Sequence, residues 1–245
     1  MSATPRPSLL QATAAVVRNE LRLWFLAPGG WVFLAASLLL AGLFFTLSIG
    51  TTGEASLRGA LPNLGVTLVF TLPLVTMRQL AEEARAGTLE LLLTAPVPPL
   101  ALLLGKWLAA VALCTLFLAL TFPFPVVLFS WGDPDPGVLF TSYLGLFLCC
   151  CTFSAVGLLA SALTADPMVA GVLGVLFLLP AWLASAAEAL APPHLAPVLA
   201  RVSLADHLRS FATGVLDTGD LAWFGIVTAL GLFGTWRALE SRRWR

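Results

Sequence analysis

The stretch "RQLAEEARAGTLELLLTAPVPP", Arg78 to Pro99, is a charged island in a chain that carries little charge elsewhere. Apolar runs flank it, Leu61 to Met77 on one side and Leu100 to Phe122 on the other. The 245 residues are 59% hydrophobic and 11% charged, whereas an ordinary soluble domain is about 25% charged. This is the composition of a membrane protein, and its zero net charge offers no basic surface for nucleic acid.

Crossing about 30 Å of hydrocarbon takes about 20 apolar residues in a helix. Six stretches qualify: Trp31–Gly50, Leu61–Met77, Leu100–Phe122, Val138–Leu163, Met168–Ala187 and Leu221–Leu239. The predicted fold class is therefore an all-α integral membrane protein, one transmembrane domain over residues 1–245 with six transmembrane helices. With the N-terminus inside, ten Lys and Arg residues fall on the inner side and only Arg58, Arg201 and Arg209 on the outer. The positive-inside rule then predicts both termini in the cytoplasm. Arg6, Arg18, Glu20 and Arg22 precede an apolar run that starts only near Trp31, so no cleaved signal is expected and the chain reads as mature.

Leu10, Ala14, Val17, Leu21 and Trp24 recur at helical spacing, with Arg18 and Arg22 on another face. Residues 9–30 are expected to form a helix in the inner membrane interface, in contact with lipid. On the outer side, residues 191–220 are too polar to span and too long for a turn. Leu204, Leu208, Phe211 and Val215 form a stripe, Ser203 and Asp206 resemble a capping pair, and Gly214 suits a helix end. One or two short helices are predicted there, between the fifth and sixth spans.

Catalytic and metal patterns are weak. Gly105 and Lys106 lack the first glycine and the hydroxyl residue of a phosphate-binding loop, and Lys106 reads as a residue snorkelling from the third span. Ser203, Asp206 and His207 have the residue types of a hydrolytic triad, yet crowding on one helical turn does not suit its geometry. No catalytic residue and no enzyme activity are expected. Cys149, Cys150 and Cys151 are consecutive and Cys114 lies in another span. Small packing residues explain them better than a copper site, and no metal site is assigned.

Within the charged island, Arg78 and Glu82 are four apart and Glu82 and Arg85 three apart, so a helix puts opposite charges within reach. Gly87 is placed to break that helix. Leu89, Leu92 and Leu93 offer a further apolar stripe, closed by Pro96, Pro98 and Pro99.

The run "TMRQLAEEARAGTLELLLTAPV", Thr76 to Val97, resembles the region between the second and third helices of ABC-2 type transporter permeases, with a pattern close to T-M-R-x-x-A-E-E-x-x-x-G-T-x-E-x-L-L-T-x-P-V. Gly105 and Lys106 resemble that family's G-K at the start of the third helix. "VSLADHLRSFATGVLDTGD" and "ALESRRWR" are similar to the gliding-motility-associated branch and its relatives in multicopper-enzyme maturation. His207, Phe211, Gly214 and Asp217 match that branch, whereas Asp206 departs from its usual S-L-x-E form.

The resemblance implies a permease subunit of an ATP-binding-cassette exporter in the bacterial inner membrane. Two permease subunits, expected as a homodimer, would pair with two copies of a separate ATPase that carries ATP and magnesium. No cofactor is implied in this chain. The loop over 78–99 would act as a coupling helix, with Arg78, Glu82, Glu83, Arg85, Gly87, Thr88 and Glu90 contacting the ATPase or fixing the helix. Ser203, Asp206, His207, Phe211, Gly214 and Asp217 would belong to the family's short extracytoplasmic helices. The gliding branch also implies a second reading, a subunit that anchors a cell-surface machine or transmits force to it, with an auxiliary protein on the outer side.

Overall fold

A computed structural model describes residues 8–52, 60–89, 92, 98–131 and 135–243. These residues form helices and no strand: α1 (Leu9–Leu26), α2 (Pro28–Thr52), α3 (Ala60–Arg85), α4 (Pro99–Leu120), α5 (Pro123–Trp131), α6 (Pro136–Leu163), α7 (Pro167–Glu188), α8 (Ala196–Val202), α9 (Leu204–Ala212) and α10 (Thr218–Arg243). Six crossings are long and apolar enough to span a membrane, made by α2, α3, α4 with α5, α6, α7 and α10. The chain is an all-α integral membrane protein. Glu20 of α1 and Leu239 of α10 both pack near the start of α4, so α1 and the end of α10 lie at the same end of the bundle.

Helix starts follow local chemistry. Asp135 and Asp166 each precede a proline, and each carboxylate accepts a backbone N–H, from Gly137 and Met168, at 2.8 Å. An Asp cap followed by Pro at the first helical position occupies groups that have no partner within the helix. Asp217 accepts from Gly219 N–H at 2.8 Å and starts α10 the same way. Between α1 and α2, Pro28 makes the chain turn, and Trp31 donates its indole N–H to Phe25 O across the bend.

Two crossings differ from their expected limits. The second helix does not stop at Met77 but runs on to Arg85, so the charged segment is its own last two turns. After α4 the short helix α5 extends the third crossing to 32 residues, Pro99–Ser130. A straight helix of that length would reach about 48 Å, more than the hydrocarbon needs. The chain breaks at Thr121 and Phe122, where Pro123 brings no N–H and Tyr143 OH donates to Thr121 O at 3.0 Å.

In the second and fourth crossings, α3 and α6, 72% and 67% of the apolar window is buried, against 17% in α10. The two helices are the inner pair, and α7, α10, α4 and α9 pack around α6. Phe153, Leu158, Leu68 and Leu72 fill the space between them. Cys114, Cys149 and Cys150 are buried free thiols in the same packing. Lipid tails are as apolar as leucine, so close approach depends on small residues and hydrogen bonds. Gly157 provides that approach: a Cβ there would lie 2.1 Å from Thr76 Oγ1. One turn on, the Ser161 hydroxyl accepts from Leu80 N–H and Ala81 N–H at 3.1 and 3.0 Å and donates to Met77 O at 2.9 Å.

Gly157→Leu is expected to force α3 from α6 and to lower stability by about 1–3 kcal/mol, the usual cost of overpacking. Thermal unfolding in detergent measures this; a melting temperature equal to that of the native chain would contradict the α3–α6 contact.

Candidate functional site

The residues that converge on the last turns of α3 come from four helices. Lys106 of α4 is 1% exposed, not snorkelling as its place near a span end suggests. Its Nζ lies 2.6 Å from Glu20 Oε1 of α1 and 2.7 Å from Glu83 Oε1 of α3. Gln79 Nε2, one turn before Glu83, donates to the Lys106 carbonyl at 2.9 Å. Ser161 of α6 holds the same stretch of α3 from behind. An ammonium group this deep needs opposite charge beside it, and two carboxylates supply it.

Glycine sets the geometry of this cluster. A Cβ on Gly105 would meet Val16 Cβ at 2.6 Å and Thr13 O at 3.2 Å, so only a bare Cα lets α1 lie on α4 here. Thr13, Val16 and Glu20 then share the face of α1 turned to α4, and Glu20 reaches Lys106. The stripe of Leu10 and Ala14, expected to meet lipid, lies on another face and is exposed.

The other charges of the segment point outward. Arg78, Glu82, Arg85, Gly87 and Thr88 are exposed. The expected pairs of Glu82 with Arg78 and Arg85 do not form; among the described residues these three side chains make no ion pair. An exposed pair gains so little against side-chain entropy that helical spacing alone does not enforce it. Glu83 turns inward, while Thr88 Oγ1 caps back to Glu83 O at 3.3 Å. Gly87 has φ +70°, the left-handed value that ends a helix with least strain in glycine. Leu89 returns the chain to the bundle, buried with Leu80, Leu103, Leu158 and Leu239. Glu90, Leu93 and Pro96 lie outside the described residues.

At the opposite end, α8 and α9 are fastened to α10. Ser203 is buried and caps α9, its Oγ accepting from Asp206 N–H at 3.1 Å. Leu204, Leu208 and Phe211 are buried, and Phe211 O accepts from Thr141 Oγ1 of α6 at 2.8 Å. Val215, expected on the same stripe, is exposed. Gly214, at φ +86°, ends α9 first: Gly214 N–H donates to Phe211 O and Val215 N–H to Ser210 O. His207 meets Asp220 of α10, Nδ1 to Oδ1 at 2.6 Å, rather than Ser203 or Asp206. Its ring stacks on Trp223 at 4.5 Å, and Trp223 Nε1 donates to Arg201 O of α8 at 2.9 Å. Asp206 faces Arg209 at 3.6 Å. These groups join three helices, and among the described residues no serine hydroxyl bonds a histidine.

Sequence reasoning missed Glu20 and Gln79 and misread Lys106. A signal was present: Lys106 is the single charge of the third apolar run, and a lone cation in a span calls for a buried anion. Glu20 lies seven residues after Thr13, on one face of α1.

The sequence model of a protein family described as ABC-2 family transporter protein matches residues 46–203, more than half of the chain. No curated protein matches it.

Lys106→Met leaves buried Glu20 and half-buried Glu83 without their cation and is expected to cost about 3–5 kcal/mol. Removing all three charges with Glu20→Gln and Glu83→Gln added should recover most of that loss, which thermal unfolding of the single and triple variants measures. His207→Ala leaves Asp220 buried without its partner, and a loss of about 1–3 kcal/mol is expected in the same assay.

Proposed function

Because this chain belongs to the ABC-2 transporter family, and so is a permease component of an ATP-binding-cassette transporter, we propose that it serves as an exporter subunit driven by a separate ATPase chain docked on the end of α3. The proposed docking surface is Arg78, Glu82 and Arg85, with Gly87 and Thr88 at its edge and Glu90 assigned to it by family pattern. The observation that carries this reading is the contrast within one helix end. Three charges face outward and make no ion pair among the described residues, while Glu83 beside them is tied into the bundle.

That contrast suits a lever. A partner that pulls on exposed charges moves α3, and Glu83–Lys106–Glu20 passes the displacement to α4 and α1 while Ser161 passes it to α6. Closure of an ATPase pair on nucleotide then biases the bundle between two arrangements, with no catalytic group needed in this chain. ATP and magnesium belong to the ATPase in this scheme. Two permease chains and two ATPases complete the assembly, in the bacterial inner membrane with both termini cytoplasmic. The ten-to-three asymmetry of Lys and Arg supports that orientation. On the outer side, the branch likeness at His207, Phe211, Gly214 and Asp217 falls on residues that fasten or end helices. This favours a structural role for them over a grip on an external machine.

Reversing the three exposed charges, with Arg78→Glu, Glu82→Lys and Arg85→Glu together, should weaken co-purification with the cognate ATPase at least about tenfold, or about 1.4 kcal/mol. Because the side chains are exposed, the melting temperature of the isolated permease should stay nearly unchanged. Undiminished association and undiminished stimulation of the ATPase by the triple variant would remove this surface from the interface.

A further inference from the structure

The face by which α1 holds α4 leaves Leu10 and Ala14 of its apolar stripe exposed and Val17 and Leu21 only half-buried. Ala14, Val17 and Leu21 of α1 and Leu108 and Ala112 of α4 line an open groove of about 660 Å³, almost wholly apolar. Its size lies within the range of small-ligand clefts, about 300–1,000 Å³. Leu108 and Ala112 belong to a helix long and apolar enough to span a membrane, so the groove runs along a face of that span.

One charged residue lines the groove, Arg18. Arg22 stands one turn further along α1, and both are exposed and make no ion pair among the described residues. The single acid of α1, Glu20, cannot neutralise them, because it is buried on the other face against Lys106. The helix therefore presents an apolar trough with an uncompensated cationic edge. We propose that this trough is a binding site for an anionic phospholipid, one acyl chain lying between α1 and α4 and the headgroup phosphate held by Arg18 and Arg22.

Charge complementarity selects this occupant. A zwitterionic lipid fills the trough equally well but gains little from two arginines, whereas two cations at a membrane surface favour an anionic lipid by roughly 30-fold. A second protein chain seated there would have to bring acidic groups to a lipid-facing surface, which is expensive. Binding requires only a membrane-embedded chain, so it stands apart from the transporter reading. A bound lipid would also brace α1 beside the Glu20–Lys106 contact, next to the proposed lever.

The test is native mass spectrometry of the full-length chain, purified in detergent and offered equal amounts of phosphatidylglycerol and phosphatidylcholine with identical acyl chains. The expected result is one phosphatidylglycerol retained per chain, preferred at least about tenfold. Arg18→Gln with Arg22→Gln should bring the preference close to one, Ala14→Trp should displace lipid of either kind, and Arg237→Gln, remote from the groove, should change nothing. Both test substitutions are on the exposed face of α1, and an unchanged melting temperature confirms the fold. Equal retention of the two lipids by the native chain, or an undiminished preference after loss of both arginines, overturns the proposal. So does a shift from dimer to monomer in Ala14→Trp without lipid loss, which would seat a second copy in the groove.

Discussion

Burying the ammonium of Lys106 is the constraint around which one end of this bundle is arranged. Taking an isolated charge out of water costs several kcal/mol, and pairing returns that energy only where geometry is tight. The chain meets the requirement with Glu20 and Glu83 at 2.6 and 2.7 Å, one from a helix before the first crossing and one from the end of the second. A buried ion cluster of this kind adds little net stability over an apolar one. What it fixes is register, because an error of one residue in α1, α3 or α4 leaves a charge unpaired.

Small residues make that pairing reachable. Gly105 brings α1 onto α4, Gly157 brings α3 onto α6, and Gly145 accepts the side chain of Phe211 from α9. Hydroxyl groups add hydrogen bonds between helices: Ser161 on the α3 backbone, Thr141 on Phe211 O, and Thr152 on Thr228. Within lipid, where apolar side chains have no preference for one another over acyl chains, such contacts decide which helices meet.

The two ends of the bundle use polarity differently. At the end bearing α8 and α9, His207 bonds Asp220, Trp223 donates to Arg201 O, and buried Leu204, Leu208 and Phe211 seat α9 among the spans. At the Lys106 end, Lys106 is paired with Glu20 and Glu83, while Arg78, Glu82 and Arg85 are exposed and make no ion pair among the described residues.

The six crossings, the short helices after the fifth and the cap at Ser203 are legible in the sequence, since each follows from apolar length or from a residue bonding its near neighbours. The island from Arg78 is also legible as charge in an uncharged chain, and it lies within the residues that the family model matches. Which of its charges turn inward is not, because Glu82 and Glu83 differ by one position on a helix whose neighbours are distant in sequence. Glu20 and Lys106 are 86 residues apart, and His207 finds Asp220 rather than the closer Asp206. Hydropathy and capping are local properties, so the sequence by itself determined which stretches form the spans and the short helices after the fifth. Ion pairs and close approaches between helices depend on which faces meet, and only the packed tertiary structure decided those.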